Sequence, residues 1–208
     1  MGIENFWVFL SAGILLNLTP GQDTLYIIGQ SISQGQKAGI LSALGIGTGS
    51  IVHTLAAALG LSAIITSSAV MFQVIKYLGA AYLVYLGIQA ILSKRQLKIS
   101  NEGFSNSNLL AIYKKGILTN ILNPKVAIFY LSFLPQFINP EFQAIYIPFI
   151  LLGCVFTATG TLWCLIIAIF SAFFSKSFQE NPKTSVWLHR ISGSMFIGLG
   201  LNVALNKN

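Results

Sequence analysis

Charge is what this chain has least of. Charged residues make up 8% of its 208 positions, against about 25% in soluble domains. A soluble fold of this length could bury only part of such an apolar chain, and the rest would aggregate. Acids are scarcest. Glu4, Glu102, Glu141 and Glu180 sit at ends or in polar stretches, and only Asp23 lies deep in an apolar segment. The two cysteines, Cys154 and Cys164, are ten positions apart in one apolar segment. On a helix that is roughly 15 Å of rise, too far for a disulfide, so both read as packing residues. The two histidines, His53 and His189, lie in different segments without a partner at ligand spacing. No metal site and no cofactor are therefore expected. A nucleophile and base for an intramembrane enzyme are missing as well. His53 with Asp23 is the only conceivable pair, and the chain is not read as an enzyme. The first apolar run has no Lys or Arg before Phe6 and no small-x-small site at its end, so it is expected to stay as a span and not to be cleaved as a signal peptide.

Apolar residues fill 54% of the chain and aromatics 12%. At roughly 20 residues per span this allows about six helices in one transmembrane domain, residues 1–208. The spans are placed at about 6–32, 38–65, 70–92, 111–137, 144–174 and 186–205. Pro148 is a candidate kink in the fifth. The second is rich in small residues, and Gly45 and Gly49 share a face at a spacing that lets helix backbones approach closely in lipid. It reads as a buried central helix. The long polar stretch, about 94–110, separates repeat one (about 1–93) from repeat two (about 111–208). Asn139, Pro140 and Glu141 mark a turn.

The net charge of +7 is not a nucleic-acid signal, because the basic residues lie mostly between apolar segments. Nine of the twelve, Lys37, Lys94, Arg95, Lys98, Lys114, Lys115, Lys176, Lys183 and Arg190, fall in or beside the loops after spans one, three and five. By the positive-inside rule those loops are cytoplasmic and both termini extracytoplasmic. A five-span version, with one segment lying in the interface, stays open.

Two polar interruptions organise this scaffold. Asn17-Leu18-Thr19-Pro20-Gly21-Gln22-Asp23 breaks span one, and Asn120-Ile121-Leu122-Asn123-Pro124-Lys125 breaks span four. Each span comes first in its triplet. Three spans is an odd number, so the second triplet enters the membrane inverted. The expected fold is thus all-α, six transmembrane helices as two inverted three-helix repeats with broken first helices. Interrupted helices at matching places in inverted repeats point to a transporter site near the midplane. Thr19 is expected as an N-cap with Pro20 at the first helical position and Gln22 closing a capping box; Asn123 caps a second start at Pro124. Two positive half-helix ends would suit a carboxylate. Gly21 gives access to backbone. Two readings stand for Asp23: a first-turn acid stabilised by the dipole, or a site for a substrate ammonium or a proton. Lys125 either snorkels to an interface, pairs with Asp23 or holds a carboxylate. Asn17 and Asn120 either bond freed backbone groups or touch ligand.

At these residues the chain resembles the LysE/RhtB family of amino-acid exporters. The likeness is carried by Thr19-Pro20-Gly21-Gln22-Asp23, the Ser31–Gly39 turn, Gly45-Ile46-Gly47-Thr48-Gly49 with His53, Lys76-Tyr77-Leu78-Gly79-Ala80-Ala81-Tyr82-Leu83, Gly116-Ile117-Leu118-Thr119-Asn120-Ile121-Leu122-Asn123-Pro124-Lys125, and Phe133-Leu134-Pro135-Gln136-Phe137. The family usually has a second Pro where Gln22 stands. The resemblance implies a multi-pass exporter in the cytoplasmic (inner) membrane, driven by protons, whose substrates are amino acids or close derivatives such as homoserine, its lactone, threonine, leucine and basic amino acids. With one intramembrane acid, a neutral amino acid is favoured. A homo-oligomer stays open. The alternatives are a metal-ion exporter of related architecture, which lacks a ligand cluster here, and a membrane scaffold without transport, which would not need two broken helices.

Overall fold

The computed structural model describes residues 2–92, 108–171 and 182–205. Within them the chain is mostly helical, with one isolated antiparallel bridge between Ile3 and Ile138. Helix α1 (Phe6–Leu18) stops at Thr19, because a residue before proline is pushed out of the helical region; Thr19 has φ −67° and ψ 116°. Helix α2 (Gln22–Gln34) follows the break and ends at Gly35. The φ of Gly35 is +86°, a left-handed value that glycine adopts freely, and the chain reverses there into α3 (Gln36–Ala56). A π turn, Ala57–Leu61, links α3 to α4 (Ser62–Ser67). Helix α5 (Ala69–Leu92) completes the first half.

The second half begins with α6 (Leu109–Ile121), whose N-cap Asn108 accepts a hydrogen bond from the Leu110 amide at 3.1 Å. Helix α7 (Pro124–Ile128) continues through a π turn, Phe129–Phe133, and a 3-10 turn, Leu134–Phe137. The two parts are bent by 47°. The Asn139 side chain then closes the expected turn by accepting from the Glu141 amide at 2.8 Å. The chain start is pinned beside this turn. The Glu4 amide donates to Phe137 O, and the Asn139 amide to Gly2 O. Helix α8 (Tyr146–Ile169) and α9 (Pro182–Leu205) complete the set. Pro148 lies in the first turn of α8, where no intrahelical bond is lost, so it starts the helix instead of kinking it. The polar stretch between the halves falls at 93–107, outside the described residues, as do Lys176 and Glu180.

Three helices are long and apolar enough to cross a membrane, Gln36–Ile65, Val70–Leu92 and Tyr146–Ile169, or four if the bent pair Leu109–Ile121 and Pro124–Phe137 is one span. Length and composition alone thus qualify three or four spans among the described residues, fewer than the six expected. The reason is physical. Helix α1 has 13 residues and is roughly 20 Å long, short of a hydrocarbon core of about 30 Å. In α9 the described apolar segment is Gly193–Leu205, 13 residues and again roughly 20 Å.

Helix α3 is the central element, packed against α2, α6 and α8. Gly45 and Gly49 make the approach to α6 possible. A Cβ at Gly45 would collide with the Tyr113 carbonyl, and one at Gly49 would lie 2.8 Å from both Asn120 Cβ and Ile117 O. Helices α5 and α9 form a second pair, in contact at Gly87 and Gly193, where a Cβ on either would meet the other's carbonyl. That pair joins the rest through the Phe129–Phe133 turn. The main core gathers Phe9, Phe129, Phe133, Phe137, Phe149 and Phe156, with Phe129 stacked on Phe156 at 4.3 Å. Trp7, Leu59, Val70 and Leu92 point outward, each more than two-thirds exposed. Such outward apolar residues suit contact with lipid.

Candidate functional site

The two breaks lie against each other. Asp23 is the second residue of α2, and its Oδ2 accepts a hydrogen bond from Asn120 Nδ2, at the end of α6, at 2.9 Å. Lys125 is the second residue of α7, and its Nζ donates to Thr19 O at 2.9 Å and to Leu16 O at 3.3 Å, at the end of α1. Each half-helix start therefore sends its charged side chain to the end of the other break's preceding half-helix. Lys125 supplies a cation at the α1 end, where the last carbonyls carry negative partial charge; Leu16 O shares it with the Thr19 amide. This changes the expected polarity. The ends that meet are a start and an end at each crossing, and Lys125 is occupied with α1 carbonyls instead of snorkelling outward or pairing with Asp23.

The local caps differ between the breaks. Asn123 caps α7 as expected, accepting from the Lys125 amide at 3.0 Å, with Pro124 first in the helix. The first break is built otherwise. Gly21, not Thr19, is the N-cap of α2, with φ −153° and no side-chain bond. Pro20 precedes it, and the Thr19 hydroxyl turns back to donate to Leu15 O at 2.9 Å. Threonine can donate to the carbonyl four residues behind it, and here that bond closes α1. The capping box with Gln22 is therefore absent, and Gln22 is exposed. Gly21 lies beside the Lys125 side chain. A Cβ there would sit 3.5 Å from Lys125 Nζ.

Between the breaks lies a cavity of about 40 Å³, bordered by Asn17, Asp23, Asn120 and Lys125, with Val126 and Phe156 as apolar wall. That is room for a few waters. Asn17 reaches across to α8, donating to Thr159 Oγ1 at 3.3 Å, so it bonds a side chain and not a freed backbone group. Two acceptors at the site are buried without a partner, Asp23 Oδ1 and Asn120 Oδ1. Asn123 Nδ2 is buried without one as well. Unpartnered buried polar atoms cost free energy, so a cavity edged by them is set for a polar guest. Gly45 and Gly49 act from behind, by letting α6 and Asn120 come close to α3.

The sequence reading missed a polar cluster beside the cavity. The Tyr130 hydroxyl lies 3.1 Å from Ser50 Oγ, 2.9 Å from Thr54 Oγ1 and 3.3 Å from Thr157 Oγ1. Ser50 and Thr54 are one turn apart on α3, and such hydroxyls in an apolar span were the available signal. His53 stacks on the Tyr130 ring at 5.6 Å and 19°. It does not pair with Asp23; its Nε2 lies 3.1 Å from Asn120 O. Among the described residues no group of three His, Cys, Asp or Glu side chains is placed to hold a metal ion. Cys154 and Cys164 are both free thiols.

Comparison with known proteins places this geometry in context. The sequence profile described as LysE type translocator matches residues 14–207. A Bacillus subtilis (strain 168) protein called Uncharacterized membrane protein YrhP is 32% identical over 98% of this chain and 100% of its own length. A leucine efflux protein of Salmonella typhimurium (strain LT2) is 27% identical over 98% of this chain and 96% of its own. A leucine efflux protein of Enterobacter sp. (strain 638) is 28% identical with the same coverage. No solved structure matches the chain.

Proposed function

We propose, from the premise that this chain belongs to the LysE type translocator family, that it exports a neutral amino acid of the leucine kind across the cytoplasmic membrane. One observation carries the reading: an acid and a base, Asp23 and Lys125, border one cavity at the crossing of two helix breaks, and both keep unused hydrogen-bonding capacity. Asp23 Oδ1 and Asn120 Oδ1 are free to accept. An ammonium has three protons, and Lys125 uses its own on two carbonyls. A zwitterion fits this pattern. Its ammonium would lie between Asp23 and Asn120, and its carboxylate would take the remaining Lys125 proton. Val126 and Phe156 offer apolar surface to the side chain. The relatives named as leucine efflux proteins support that choice of substrate.

The site works by alternating access. The cavity is too small for leucine as it stands, so binding requires the half-helices to part at their breaks. The packing partners favour six spans in two inverted repeats: α3 with α8 and α5 with α9 pair as equivalents, and α3 against α6 matches α8 against α1. The basic loops orient the molecule with both termini outside. A proton competing with the substrate ammonium for Asp23 couples export to the proton gradient.

The test is export from cells expressing the chain and fed dipeptides of leucine, threonine, homoserine or lysine. Leucine release should exceed that of control cells, lysine release should not, and Asp23→Asn should abolish the difference. Release of no neutral amino acid, or unchanged release by Asp23→Asn, contradicts the proposal.

A further inference from the structure

We infer that His53, which does not border the cavity, is a positioning residue that sets the ammonium subsite by holding Asn120 from behind. This rests on the reading of Asp23 and Asn120 as that subsite. Asn120 is all but the last residue of α6, and its carbonyl accepts from the Asn123 amide at 3.0 Å. The Leu122 amide also points to that carbonyl, and His53 Nε2 makes the one side-chain contact described to it, at 3.1 Å. A carbonyl oxygen only accepts, so Nε2 carries the proton. On its other side the Asn120 amide donates to Asp23 Oδ2, leaving Asn120 Oδ1 and Asp23 Oδ1 both unpartnered and buried.

Three features fix the imidazole itself. It stacks on Tyr130. The Tyr130 hydroxyl lies within hydrogen-bond reach of Ser50, Thr54 and Thr157. Gly49, one turn before His53 on α3, lets Asn120 Cβ approach closely. Without the His53 bond the end of α6 is held only by its own backbone, the Gly49 contact and Asp23, and the two unpartnered oxygens converge less closely on one ammonium. Loss of His53 then weakens substrate binding more than turnover, because the interaction it supports exists in the bound ground state.

The experiment uses the full chain in proteoliposomes with labelled leucine. Variants are His53→Leu, His53→Gln, Asn120→Ala, the His53→Leu/Asn120→Ala double and Asp23→Asn. Melting curves with and without leucine give a binding readout separate from transport. The loss of one hydrogen bond should raise the KM for leucine roughly three- to tenfold with Vmax little changed. His53→Gln, whose amide can still donate, should restore most of it. The double variant should be no worse than Asn120→Ala alone, since His53 holds the Asn120 carbonyl only to place the side chain that Asn120→Ala has already removed. Multiplying effects in the double variant, or a fall in Vmax at constant KM that His53→Gln does not rescue, overturns the inference. A folded His53→Leu with the parent's KM and leucine-induced melting shift also overturns it. The underlying reading fails separately, if Asp23→Asn keeps the parent's KM and melting shift.

Discussion

Replacing Gly49 by alanine tests how tightly the site depends on helix packing. A Cβ there would lie 2.8 Å from Asn120 Cβ and from Ile117 O. Ordinary contact begins near 3.4 Å, so α3 and α6 must separate by roughly 0.6 Å. That displacement stretches the His53 Nε2 to Asn120 O contact from 3.1 Å to about 3.7 Å, beyond hydrogen-bonding range. Overpacking costs about 1–3 kcal/mol and the lost bond about 1. Alanine returns up to about 1 kcal/mol in helix propensity. Gly198→Ala isolates that last effect, because nothing lies within 4 Å of a Cβ on Gly198. The two variants should therefore differ by about 2–4 kcal/mol in stability. Thermal unfolding in detergent should show Gly49→Ala several degrees below Gly198→Ala, with leucine transport impaired only in the former. Equal melting temperatures and equal transport would refute the packing argument.

Lys125→Met should abolish leucine transport and lower the melting temperature, since it strips the α1 end of its donor and leaves Thr19 O and Leu16 O without that partner; retained transport speaks against its role with the carboxylate. Asn123→Ala removes the cap bond to the Lys125 amide and should destabilise the chain by about 0.5–2 kcal/mol in a melting experiment. Tyr130→Phe keeps the stack on His53 but leaves Ser50, Thr54 and Thr157 without its hydroxyl; a loss of about 1–3 kcal/mol in stability is expected, with a smaller effect on KM for leucine than His53→Leu.

The breaks themselves were legible in sequence, because Pro20, Gly21 and Pro124 interrupt apolar runs that have no other reason to stop. So was the tight face of α3, because Gly45 and Gly49 are four apart. The Asn123 cap followed from its place before Pro124. What sequence could not show was which helix end each break would meet. Asp23 and Asn120 are 97 positions apart, and their pairing is decided by how α2 packs on α6, a tertiary matter without a local signature. The same holds for Thr19. An N-cap and a C-cap threonine look alike until the backbone direction at Pro20 is known. His53 was visible only as a lone histidine, and its role depends on the Tyr130 ring, which reaches it from the other half of the chain. Length and composition alone do not recover the six expected spans among the described residues, because a broken span is two short helices, and α1 by itself is roughly 20 Å long.

The most direct measurement is leucine efflux from proteoliposomes holding the purified chain, with and without an imposed pH gradient, for the parent and Asp23→Asn. The parent should release leucine, faster under an inward proton gradient, and Asp23→Asn should show neither efflux nor acceleration. Gradient-driven leucine efflux that survives Asp23→Asn unchanged would contradict this prediction.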